Sequence, residues 1–278
     1  MVENFKKNEE KVEIGVSSNE VVNIESASWG TQFCRIAGRA FKNEFRNPIA
    51  LRGKLLQMLF FAIISVILFE RIADNQNSFV QNLRGVIFFL CMNVGLPSTF
   101  GTLNVFNIER PVFIRERQSN TYTTSSYFFG RSFSYIPQDI VLPLLLIVIT
   151  YFVVHLNETA GSFFFSFLSL FLISWMGSAY GLFISTLFED SEVAMALVPI
   201  LVLPFLLVGG FFAPLSEVPD FYKLFEYLSM FKYGYEGFAY AQFYDGFTAT
   251  GTYNGTDYTY TFTSEDYDSI FKFEVLFP

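Results

Sequence analysis

Histidine occurs once and cysteine twice in this chain of 278 residues. A single histidine, His155, cannot build a metal centre or a catalytic triad by itself, and Cys34 and Cys91 are too few for a disulfide framework. The sequence has no glycine loop followed by the lysine of a phosphate cradle, and no Cys-x-x-Cys pair. No catalytic residue and no metal site is therefore assigned, and a membrane enzyme is disfavoured. Charge is also scarce, at 16% against 52% hydrophobic and 19% aromatic, which is far from an average soluble domain. Residues 160–188 and 193–216 carry no charge at all. About 20 apolar residues cover roughly 30 Å of hydrocarbon, and a soluble core helix has no reason to be apolar on every face for so long.

These absences define an all-α membrane protein with five predicted spans, near 54–72, 83–106, 133–156, 162–187 and 193–215. Residues 1–28 are polar and of mixed charge and read as a solvated tail or linker rather than a cleavable signal. The domain reading is a polar linker over 1–26, a transmembrane domain over 27–215, and an outer segment over 216–278. Over Trp29–Arg46, apolar residues at Trp29, Phe33, Ile36, Ala37, Ala40, Phe41 and Phe45 follow helical spacing, with Arg35, Arg39, Lys42 and Arg46 on the rest of the helix. A basic amphipathic helix at the membrane surface is expected, with a soluble docking helix as the alternative.

Basic residues set the orientation. Nine precede the first span or begin it, and Arg110, Arg115, Arg117 and Arg131 surround the loop between spans two and three. That side is expected to be cytoplasmic. Beyond residue 215 there are three lysines against ten acids, so this segment is expected outside. It carries twelve aromatics over 221–247, a density that suits an interfacial belt or a re-entrant helical hairpin on the spans. Asn254-Gly255-Thr256 is then a glycosylation candidate, while Asn157-Glu158-Thr159 hugs the membrane too closely.

Between spans two and three, Glu109 and Glu116 bracket Arg110, Arg115 and Arg117 around Phe113. Alternating charge around an aromatic makes a short amphipathic helix able to dock on a cytoplasmic partner. A plain positive-inside anchor explains the arginines but not the paired glutamates. Apart from Glu70 at the end of the first, Asp139 is the one acid inside a predicted span. Such a charge costs about 2.5–3.5 kcal/mol on insertion scales, and two readings stay open: a polar contact in a translocation path, or a carboxylate held by helix-to-helix hydrogen bonds.

The runs ERPVFIRERQSNTY and SSYFFGRSFSYIPQDIVLP resemble the membrane domain of the G subfamily of ATP-binding cassette transporters, which includes pigment, sterol and drug exporters of the half-transporter type. The likeness continues through NLRGVIFFLCMN, LVGGFFAPLSEVPDF and SMFKYGYEGFAYAQF and covers about residues 27–247. The resemblance implies a connecting helix at Trp29–Arg46 and a coupling helix containing Glu109, Phe113, Arg115 and Glu116. It places Asn93 and Leu96, with Leu203 and Leu206, on a central substrate slit. It puts Phe211 and Phe212 at a hydrophobic valve where relatives often carry two leucines; lipid-facing interfacial aromatics are the alternative. Asn120 stands where glycine is usual.

Two parts of such a transporter, the nucleotide-binding domain and a sixth span, are not among these 278 residues. The expectation is a fragment, a truncated product, or a subunit relying on a partner. The function expected is the permease part of an ATP-driven exporter of lipids, sterols or other hydrophobic small molecules, working by alternating access in a homo- or heterodimer. A truncated, non-transporting regulatory subunit is the alternative. No cofactor is expected in the chain itself; ATP and Mg would act through the nucleotide-binding domain. Membrane lipids and an apolar substrate are expected partners, nucleic acid is not, and the location is a plasma or organelle membrane.

Overall fold

The computed structural model describes residues 27–46, 48–69, 76–157, 159–188, 190–212 and 222–243, together with a pair of strands over 247–253 and 256–262. Helices α1 (Trp29–Arg46), α2 (Pro48–Phe69), α3 (Gln76–Gln118), α4 (Thr124–Val153), α5 (Ala160–Leu187) and α6 (Ser191–Leu207) follow in order. Two short helices, α7 (Lys223–Leu228) and α8 (Met230–Phe243), precede strands β1 (Phe247–Tyr253) and β2 (Thr256–Phe262). Helices α2, α3, α4 and α5 are long and apolar enough to cross a membrane. The membrane-embedded part is all helical, as composition predicts.

Two boundaries differ from the sequence reading. Helix α3 has 43 residues, so at 1.5 Å per residue it is about 65 Å long, twice the hydrocarbon thickness. The segment around Glu109–Glu116 is helical as its pattern predicts, but it is the basic end of α3 rather than a separate helix. The fifth apolar segment is shorter than expected. Helix α6 has 17 residues with Pro199 and Pro204 inside it, and Gly210, at φ 84°, follows in a left-handed conformation.

Helix ends follow local chemistry. The side chains of Thr123, Thr159 and Asp190 cap α4, α5 and α6 by accepting from Ser126 N, Ser162 N and Glu192 N. Asn120 (φ 52°) and His155 (φ 54°) take the left-handed position just past α3 and α4. There Thr121 N donates to Glu116 O and Leu156 N to Tyr151 O, the six-to-one bond of a helix terminus. Asparagine at 120, where the resemblance leads one to expect glycine, is among the residues that tolerate that backbone best.

Helix α3 runs against α5 at the centre of the bundle. A Cβ at Gly177 would lie 2.6 Å from the Gly95 carbonyl oxygen, and one at Gly181 would lie 2.4 Å from that of Thr99. Glycines four apart on α5 therefore let two backbones touch, the small-xxx-small arrangement of membrane helices. Around this crossing pack Val86, Leu90, Val94 and Leu103 of α3 and Leu170 and Ile173 of α5. By contrast α2 lies on the outside, with Ile49, Leu56, Phe60 and Ile67 exposed.

The aromatic segment after α6 forms α7 and α8, joined at Ser229, with α8 folded onto α5 and α3. Phe231, Tyr235, Phe238 and Phe243 are buried, and a Cβ at Gly234 would overlap the Ile173 side chain at 2.0 Å. Of the two readings of this aromatic density, helices packed on the spans describe it better than an interfacial belt. Strands β1 and β2 were not foreseen. They pair antiparallel from Phe247 opposite Phe262 to Tyr253 opposite Thr256. Alternating threonine and aromatic residues around Asn254-Gly255 are the readable signal for them. Asn254 itself lies outside the described residues.

Gly181→Ala is expected to lower the thermal unfolding midpoint of the detergent-solubilised chain. The added methyl meets backbone oxygen rather than a movable side chain, so a loss of about 1–3 kcal/mol is expected. Gly38→Ala, at a site with nothing within 4 Å of the built Cβ, is expected to leave the midpoint unchanged or raised. Equal midpoints for Gly181→Ala and the parent would exclude backbone contact at this crossing.

Candidate functional site

Glu109, Phe113 and Glu116 stand at i, i+4 and i+7 on α3, which puts them on one face. That face meets α1 and the start of α4. Glu116 receives both guanidinium nitrogens of Arg39 at 2.7 and 2.9 Å, and the Tyr122 hydroxyl at 2.9 Å. The fork-to-fork geometry matches a carboxylate to a guanidinium with directional bonds. Its hydrogen bond to Glu116 holds the Arg39 guanidinium above its ordinary pKa. Burial, then the bond to Glu116, raises the Tyr122 phenol. Phe113 lies 4.4 Å from the Tyr127 ring, and Tyr127 stacks on Tyr122 at 5.6 Å.

Deeper in the same joint sits Arg131 of α4, only 1% exposed. Its Nε is 3.2 Å from Glu109 Oε2 and its Nη2 donates to Glu44 Oε1 of α1 at 3.3 Å. The guanidinium also rests 4.8 Å over the Tyr135 ring. One buried cation thus joins three helices. Gln32 of α1 adds a polar knot: its Oε1 accepts from Thr123 N and Ser126 Oγ, both at 2.9 Å. A cavity of about 240 Å³ lies in this joint, bordered by Arg39, Asn43, Glu109, Phe113 and Arg131.

The structure therefore brings Glu109, Phe113 and Glu116 together and separates Arg115 from them. Arg115 is exposed, as are Ile108, Val112 and Ile114 on the outer surface of the same helix end. The paired glutamates owe their spacing to contacts within the chain. Sequence reasoning counted Arg131 only as an orientation signal and gave Gln32 no role. A long polar side chain amid helical apolar spacing was the available hint for Gln32.

Asp139 is 1% exposed. Ser174 Oγ donates to it at 2.8 Å and Ser178 Oγ at 3.2 Å, both from α5, and Ser174 also bonds Ser98 of α3. Of the two readings, the helix-to-helix carboxylate is the one this geometry describes. Lys54, at the start of the first span, donates to the neighbouring Gln138 at 3.0 Å.

Asn93 is buried in its own chain, with its amide donating to the Phe89 carbonyl at 2.8 Å. Leu96 is half-buried, Leu206 is buried, and Leu203 is 50% exposed. Phe211 stacks on Phe88 at 4.4 Å and touches the Tyr235 ring edge, whereas Phe212 is 55% exposed. So Leu203 and Phe212 face outward from the chain, while Asn93, Leu206 and much of Phe211 serve its interior. Asn157, the less favoured sequon, is 5% exposed and hydrogen-bonded through its amide to the Gln242 carbonyl at 2.9 Å.

The family profile described as ABC-2 type transporter matches residues 31–243, which contain the three-helix joint, the spans and the packed outer helices. The chain belongs to this family. It is 32% identical to Protein white of Ceratitis capitata over 216 residues, 78% of this chain and 32% of that protein. It is equally 32% identical to the ATP-binding protein/permease wht-1 of Caenorhabditis elegans, over 77% of this chain and 32% of that one. The broad substrate specificity ATP-binding cassette transporter ABCG2 of Bos taurus is 28% identical over 84% of the chain and 37% of its own length. The chain thus spans about a third of the length of these relatives. It is a membrane domain of the G-subfamily type and an integral membrane protein.

Arg131→Ala is expected to destabilise this ABC-2 domain severely, by about 3–5 kcal/mol, because Glu44 and Glu109 lose their shared cation while staying part-buried. Arg115→Ala is expected to stay within about 0.5 kcal/mol of the parent. Thermal unfolding in one detergent compares them, and similar midpoints would remove Arg131 from its structural role.

Proposed function

We propose that this chain is the permease part of an ATP-driven exporter of lipids, sterols or other hydrophobic small molecules, operating as a dimer by alternating access. The observation that carries the reading is the continuity of α3. One continuous helix, with Pro97 and Pro111 inside it, reaches from the buried α3–α5 crossing to the exposed surface of Ile108, Val112 and Arg115. A push on that surface tilts the span without an intervening loop to absorb it. The three-helix joint around Arg131 and Glu116 ties α1 and α4 to the same rod, so they move with it. Mg-ATP belongs, in this reading, to a nucleotide-binding domain outside these residues. The relative named as ATP-binding protein and permease in one chain supports that assignment.

Leu203 and Phe212 are exposed on the isolated chain and would line a slit with a second copy or a related half-transporter. Apolar walls with few polar groups suit flat, hydrophobic substrates. Phe211, stacked on Phe88, would back Phe212 at the valve, closing it by packing and dewetting.

Coupling is tested with Arg115→Glu, co-reconstituted in liposomes with an ATPase-bearing half-transporter partner. Substrate-stimulated ATP hydrolysis is expected to fall about tenfold while the unfolding midpoint stays at the parent value, a loss of roughly 1.4 kcal/mol in coupling. Unchanged stimulation would reject the assignment of this surface. For the valve, Phe211→Ala with Phe212→Ala is expected to raise substrate leak in the absence of ATP. If the double change leaves leak and transport alone and only lowers stability, these rings are lipid-facing.

A further inference from the structure

We propose that the basic face of α1 binds acidic phospholipid headgroups, so that the domain gathers an anionic lipid shell on its basic side. This does not rest on the transport reading and concerns a surface that coupling and the slit leave unused.

Helix α1 has three faces. Gln32, Ile36 and Ala40 are buried against α4. A second arc is aromatic and exposed. Phe41 and Phe45, one turn apart, bring their rings to 4.7 Å and are 42% and 57% exposed. Trp29 stacks on Phe33 at 5.6 Å, and these rings meet Phe129 and Phe133 of α4 at 6.2 and 5.8 Å. The result is an aromatic shelf carried by two helices. Aromatic residues of this kind settle at the headgroup level of a bilayer.

The third face is cationic. Arg35, Arg39, Lys42 and Arg46 follow at i, i+4, i+7 and i+11, one line along the helix. Arg39 is occupied by Glu116. Arg35, Lys42 and Arg46 are exposed, and none forms an ion pair with another described residue. The one acid on α1, Glu44, is taken by Arg131. Three uncommitted cations therefore stand beside an apolar shelf on a helix whose direction is set by buried contacts.

A positive row at the edge of an aromatic shelf matches a phosphate-bearing headgroup above an acyl region in both charge and polarity. Basic residues near an acidic leaflet gain attraction that decays within a Debye length. The shelf also continues onto exposed Phe128 of α4, whose ring lies 5.5 Å from that of Phe129, and Ile49 and Leu56 at the start of the peripheral helix α2 are exposed apolar residues as well. That continuity places lipid, rather than an acidic protein surface, against this face.

The test uses the full chain in nanodiscs, with Trp175→Phe so that Trp29 is the sole tryptophan of the two. Phosphatidylserine or phosphatidylcholine, brominated on identical acyl chains, is added as a minor component to unlabelled phosphatidylcholine. Trp29 quenching by the serine lipid is expected to exceed that by the choline lipid by about threefold. The excess should shrink at about 0.5 M salt and vanish in Arg35→Gln, Lys42→Gln, Arg46→Gln. Arg35→Lys with Arg46→Lys should keep it, because the charge remains. Equal quenching by the two lipids, expected if an acidic protein surface or residues 1–26 covered the face, overturns the proposal. So does an excess that survives the triple glutamine change, or one lost in the lysine variant.

Discussion

Backbone contact between α3 and α5 at Gly177 and Gly181 is the constraint on which the rest of the domain depends. In a bilayer the lipid tails are as apolar as leucine, so burying leucine against leucine gives helices little reason to associate. Close approach of backbones adds dispersion contacts that lipid cannot match. Once α3 and α5 touch, Ser174 and Ser178 face Asp139 of α4, and Ile173 meets Gly234 of α8. The carboxylate, costly in hydrocarbon, becomes a tie between helices because three hydroxyls on the other two helices line up for it and for each other.

At the basic end the logic is ionic rather than steric. Arg131 is buried with Glu109 and Glu44 as its partners, and Arg39 meets Glu116 nearer the surface. The exposed pair contributes little alone, since water and salt screen it. The buried cation differs: removing it strands carboxylates from two helices, so it fixes where α1 lies against α3 and α4. The opposite end repeats the device with Lys232 and Glu226 at 2.6 Å, both largely buried, which pins α7 to α8. Between these two ionic joints the spans are held by packing and hydroxyl bonds.

This arrangement frames the proposed mechanism. In the proposed mechanism a helix of 43 residues, anchored by glycine contacts at its centre and by charge at its basic end, would transmit displacement as a lever. A separate coupling helix joined by a loop would dissipate it. The exposed outer side of that helix end would take a partner in this proposal, and the cationic side of α1 would take lipid.

Much of this was legible in one dimension. Hydropathy sets where α2 to α5 cross, because a run of apolar residues has no other stable environment. Periodicity identified α1, and the dense aromatics left a belt and a packed re-entrant segment as alternatives that only the structure separated. Charge-free length overstated α6, because hydropathy does not register the turn that follows Leu207, where Gly210 takes a left-handed backbone. It also missed the strands around Asn254-Gly255, whose threonine and aromatic alternation is a local signal that was there to be read. What only the tertiary structure decided is who meets whom. Glu116 pairs with a residue 77 positions away, and Gln32 with one 94 away. Such partners depend on helix crossings, and a crossing depends on small residues whose presence in a sequence does not say which neighbour will lie against them.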